Sequence, residues 1–91
     1  MTDYPSHVRT KRAVTARRRQ ILRFIARYSA ERGAPPSIRE ISEATRVNIS
    51  CVHGHLAWLA ECGLIARPPR LARAVFVTDA GRAALAAGDA A

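Results

Sequence analysis

A chain of 91 residues and 9.9 kDa has room for one small domain, which excludes a multidomain enzyme. Fifteen basic residues against seven acidic ones leave a net charge of +8 and a pI near 11.3, yet 48% of the residues are apolar, too many for a disordered polycation. Fourteen of the cations are Arg and only Lys11 is Lys, which favours planar, bidentate contact with phosphate or carboxylate. No run of eighteen apolar residues exists and no signal-peptide core follows the basic start, so a soluble, cytoplasmic protein is expected.

Residues 1–14, with Pro5, His7, Arg9, Lys11 and Arg12, have no apolar periodicity and read as a flexible basic arm. Thr15 is placed to cap a first helix whose Ile21, Phe24, Ile25 and Tyr28 recur on one face, with Gly33 as its stop. Pro35 and Pro36 forbid continuation. Ser37 and Glu40 form a capping box for a short second helix through about Ala44. Asn48 can cap a third helix in which Val52, Leu56 and Leu59 share a face, with Gly63 positioned to end it. Leu64 to Ala66 and Val75 to Thr78 read as two strands joined by an arginine-bearing loop, hence a β-hairpin with a cationic tip. Thr78 is then expected to cap a weak helix over Asp79 to Ala87, interrupted by Gly81.

Two helices joined by a three-residue turn, the second with small and polar residues on its outer side, fit a helix-turn-helix, and the hairpin after it makes a winged helix. The expected fold class is therefore mainly α with a small β-hairpin: an arm over 1–14, a winged helix-turn-helix over 15–78 and a short C-terminal helix or tail over 79–91. Thr15-Ala16-Arg17, Gly33-Ala34-Pro35-Pro36-Ser37, Glu40-Ile41, His55-Leu56 and Gly63-Leu64-Ile65 resemble the DNA-binding domain of LexA repressors, across roughly residues 14 to 78. Ile41 to Ile65 and Val77 to Arg82 also resemble MarR-type winged helices. The first resemblance implies a bacterial or phage repressor that occupies an operator. LexA-type repressors continue into a self-cleaving peptidase domain that also dimerises them; with the sequence stopping at Ala91, neither property is expected here. The usual Leu-Gly before the turn is Thr45-Arg46, which loses a core leucine and strains Arg46 if it turns left-handed. Alignment to LexA needs a one-residue gap near Asn48 and alignment to MarR needs none, so the base-reading register is open by one position.

Positive charge flanks the helix-turn-helix rather than filling it: residues 15–32 hold six Arg, whereas 33–66 hold two Arg against three acids. This suits a division in which cations grip phosphates and a nearly neutral helix reads base edges. Asn48, Ile49, Ser50, His53 and Gly54 are the expected base-reading residues. Arg67, Arg70 and Arg73 are expected on the backbone or in the minor groove, joined by Ser37 and Arg46. Arg19, Arg23 and Arg27 read as a solvated stripe, and Trp58 as a helix-packing or dimer contact.

A rival constellation is Cys51, His53, His55 and Cys62. Cys62 lies about 10 Å or more along the axis from His55, too far for a shared ion with bonds near 2 Å, so no metal site is expected. No acid–base pair, glycine-rich phosphate loop or activated nucleophile is visible, so neither catalysis nor a cofactor is expected. The expected partner is double-stranded DNA, bound by a homodimer on a palindrome. Two alternatives share the module: an excisionase-like architectural role, or a protein-interaction winged helix with an acidic partner.

Overall fold

Thr15 starts the first helix as its chemistry predicts: its side-chain oxygen accepts the Arg18 amide, and α1 (Ala16–Arg32) follows. The computed structural model describes residues 15–68 and 75–90, with side chains through Ala87. The expected basic arm, 1–14, and the expected hairpin tip lie outside the described residues. α1 ends at Gly33, whose left-handed backbone (φ 71°) turns its amide onto the Ser29 carbonyl at 2.9 Å.

The capping box then opens α2 (Ile38–Thr45). Ser37 Oγ accepts the Glu40 amide at 3.0 Å, and Glu40 Oε1 accepts the Ser37 amide at 2.8 Å. Glu40 Oε2 also accepts the Tyr28 hydroxyl at 2.8 Å, so one carboxylate both caps α2 and ties it to α1. Arg46 closes α2 in the left-handed conformation (φ 62°, ψ 32°), and the turn is pinned by the Ser42 hydroxyl donating to the Val47 carbonyl at 2.6 Å. Thr45, in place of the usual leucine, is buried, and its hydroxyl donates to the Ile41 carbonyl at 2.7 Å, so no polar group is stranded.

Asn48 caps α3 (Ile49–Glu61) through the Cys51 amide. Val52, Leu56 and Leu59 are fully buried against Ile21, Leu22 and Ile25 of α1 and Ile41 of α2, forming the core with Val75, Ile65 and Leu85. The strands are shorter than expected: β1 (Ile65–Ala66) pairs antiparallel with β2 (Phe76–Val77), in the register Ile65↔Val77 and Ala66↔Phe76. Leu64 and Thr78, expected in the strands, instead tie the hairpin base, with the Thr78 amide donating to the Leu64 carbonyl at 3.1 Å. Val75 is buried as core.

α4 (Asp79–Ala90) is longer than the expected Asp79 to Ala87. Thr78 caps it by accepting the Gly81 amide at 3.0 Å while donating to the Gly63 carbonyl at 2.7 Å. Gly81 was expected as an interruption, and the packing corrects this. A Cβ there would stand 2.2 Å from the Leu64 carbonyl oxygen and 2.8 Å from Val77 Cγ1, so only glycine lets α4 dock on the turn after α3.

Candidate nucleic-acid interface

The core side of α3 fixes what its other side presents. With Val52, Leu56 and Leu59 locked inside, Asn48, Ile49, Ser50, His53 and Gly54 all lie on the exposed surface at the start of the helix. Ile49 is 44% exposed, a large apolar side chain left in water at the tip of the helix. Gly54 has nothing within 4 Å of where a Cβ would sit, so the molecule's own packing does not require glycine there. Asn48 commits its side-chain oxygen to the Cys51 amide at 2.9 Å, which leaves its Nδ2 donors as the part available to a base edge.

The remaining predicted contacts separate. Arg67 follows β1 and is half-buried, and Arg46 is exposed in the turn before α3. Ser37 has its hydroxyl and amide engaged in the capping box. Arg70 and Arg73 lie outside the described residues. Of the α1 stripe, Arg27 is exposed while Arg19 and Arg23 are half-buried.

One flank of α3 carries contacts that the sequence reading missed. The Arg18 guanidinium lies 4.1 Å from the centre of the Trp58 ring, so Trp58 meets a cation of its own chain. Arg18 precedes Ile21, Leu22 and Ile25 at helical spacing, and that register was the available signal. His55 sits on the same flank. Its partial burial, followed by the positive charges of Arg18 and Arg17, holds its pKa below the ordinary histidine value. The tie between Tyr28 and Glu40 was also missed. Hydrogen bonds from the Ser37 amide and then the Tyr28 hydroxyl hold the Glu40 pKa down, and the same carboxylate raises that of Tyr28.

Cys51 is exposed and Cys62 half-buried, and neither is in a disulfide. Among the described residues no three His, Cys, Asp or Glu side chains stand together as a metal site, and no helix is long and apolar enough to cross a membrane. The arrangement offers an exposed helix face with hydrogen-bonding and small side chains beside a hairpin, and the Arg46 cation at the helix entrance.

The family model of the LexA DNA binding domain matches residues 11–74. A LexA repressor of Caldicellulosiruptor saccharolyticus is 43% identical over 70 residues, covering 76% of this chain and 35% of that protein. The LexA repressors of Bacillus velezensis and Bacillus subtilis are 48% and 46% identical over 67 residues, each covering 72% of this chain and, in turn, 32% and 33% of those proteins. The chain thus spans about a third of the length of these relatives. α4 lies beyond the matched segment, whereas the caps of α1, α2 and α3 and the turn before α3 lie within it. With the helix-turn-helix and β1 inside the matched segment, the chain belongs to the LexA DNA-binding domain family, and its fold is a winged helix-turn-helix.

Proposed function

We propose that this domain binds specific sequences of double-stranded DNA in the cytoplasm and represses transcription by occupying an operator, without catalysis or a cofactor. The observation that carries this reading is the two-sided build of α3, with one face closed into the core and Asn48, Ile49, Ser50, His53 and Gly54 left open on the other. α3 enters the major groove. Ser50, His53 and the Asn48 Nδ2 group meet base edges, Ile49 meets a thymine methyl, and Gly54 allows close approach. Arg67, Arg70 and Arg73 hold phosphates or the minor groove beside it, and Ser37 joins them at the start of α2 through its O–H donor, since the capping box uses its hydroxyl only as an acceptor. The relatives' name, LexA repressor, supports repression as the outcome of binding.

One such module buries roughly 600–1,000 Å² on DNA, a modest contact, so two copies on a palindrome are proposed. Selection of bound sequences from random duplexes tests the reading, followed by Ser50→Ala and Arg73→Ala. Ser50→Ala should change the preferred bases. Arg73→Ala should weaken every site and lower the log-log salt slope by about 0.9. Equal, nonspecific losses from both substitutions would contradict this division of roles. Failure of any duplex to retain the protein at low salt, with retention by an acidic protein, would favour a protein-interaction module.

A further inference from the structure

Three described residues hold a left-handed backbone, each at the end of a helix: Gly33 (φ 71°), Arg46 (φ 62°) and Gly63 (φ 77°). Glycine adopts this conformation without a steric penalty, and a residue with a Cβ does not. The chain therefore places the unstrained residue after α1 and after α3, and a long cation at the left-handed position that leads into α3. The fold enforces the strained geometry. The Arg46 amide donates to the Ser42 carbonyl at 2.8 Å, and side-chain bonds from Thr45 to Ile41 and from Ser42 to Val47 hold the residues on either side. Yet the side chain is exposed and, among the described residues, has no hydrogen bond or ion pair. Strain that the surroundings impose, on a side chain they engage by neither bond, marks a residue kept for a ligand.

We propose that Arg46 is an affinity-determining residue of the DNA surface, its backbone fixed at the entrance of α3 so that its guanidinium can meet a backbone phosphate where that helix enters the groove. The proposal rests on the duplex-binding reading above. Charge points the same way: residues 33–66 contain only Arg39 and Arg46 as cations, and Arg46 stands two positions before Asn48. Residues 48–54, which include the open side of α3, carry no formal charge with histidine neutral, so a phosphate flanking them has no nearer cation in the sequence. A bidentate guanidinium–phosphate contact suits this position.

The test measures thermal melting together with duplex affinity across a salt series, for the wild-type chain, Arg46→Gly and Arg46→Lys, on a duplex selected by the wild type. Arg46→Gly should melt about 4 °C higher, because the left-handed position is relieved. It should bind roughly tenfold more weakly and lose about 0.9 from the salt slope. Arg46→Lys should keep both the wild-type melting temperature and the slope. A wild type that retains no duplex at all overturns the DNA reading itself. A wild type that binds, beside an Arg46→Gly variant that melts higher with unchanged affinity and slope, overturns the role of Arg46 alone. Weaker binding with an unchanged slope also overturns it, because a phosphate contact must carry its share of the salt dependence.

Discussion

Two glycines inside helices, Gly54 and Gly81, look alike in the sequence and have opposite surroundings. A Cβ at Gly81 would lie 2.2 Å from a backbone oxygen, which cannot swing aside as the end of a side chain can. Gly81→Ala should therefore destabilise the fold by about 1–3 kcal/mol, the usual cost of overpacking, and should loosen α4 first. A lowered denaturation midpoint with the helix signal of α4 lost early would be the result. Gly54 faces open space, and Gly54→Ala should stabilise the free protein by roughly 0.5–1 kcal/mol through helix propensity. If α3 enters the groove as proposed, the same variant should bind a selected duplex more weakly, because the added methyl would stand between them. Equal or tighter binding would remove Gly54 from the reading surface. At Arg46 the left-handed strain, about 1–2 kcal/mol, could be anticipated from Thr45-Arg46 standing where the family has Leu-Gly, although whether the turn would be left-handed depended on the packed helices.

The helix starts were legible because their chemistry is local. Thr15, Ser37 and Asn48 each accept an amide three residues on, so each cap could be recognised before any tertiary contact was known. The strands were overextended because pairing is not local. Leu64 and Thr78 have strand-like neighbours and share one bond across the hairpin, but the Leu64 amide is taken by the Leu59 carbonyl of α3 and the Thr78 carbonyl by the Arg82 amide of α4, so the ladder goes no further. The link between α1 and α2 has a consequence for pH dependence. Glu40 has a depressed pKa in the folded protein, so its contribution to stability is complete above the ordinary carboxylate value of 4.5 and is lost as pH falls through the lower folded value. The wild type should therefore lose melting temperature as pH falls below about 4.5, and Glu40→Gln should flatten that fall while melting lower at neutral pH. An acid limb of the same steepness in the variant would assign it to other carboxylates.

For the whole molecule, the distribution of charge decides how it meets a polyanion. α1 alone carries six Arg, and Arg18 is turned onto Trp58, so positive charge near α3 comes partly from a helix outside the helix-turn-helix. If two copies occupy a palindrome, a duplex with both half-sites should bind the protein more tightly than one with a single half-site, with two copies per duplex by sedimentation. Equal affinity per half-site would describe independent monomers. Trp58 is an uneven candidate for the contact between copies, because one of its faces already lies against Arg18.

The order of the elements, the caps, the two-sided pattern of α3 and the family likeness were determined by the sequence alone, since each depends on residues within about one or two helical turns or on a motif readable along the chain. Tertiary structure decided that Gly81 is a close-packing residue, that Trp58 pairs with Arg18, that one carboxylate joins α1 to α2, and that Arg46 is strained while its side chain stays exposed, without a hydrogen bond or ion pair among the described residues. The physical reason is that these properties depend on distances between segments remote in the chain, and such distances exist only once the core formed by Ile21, Ile41, Leu56 and Leu85 has closed.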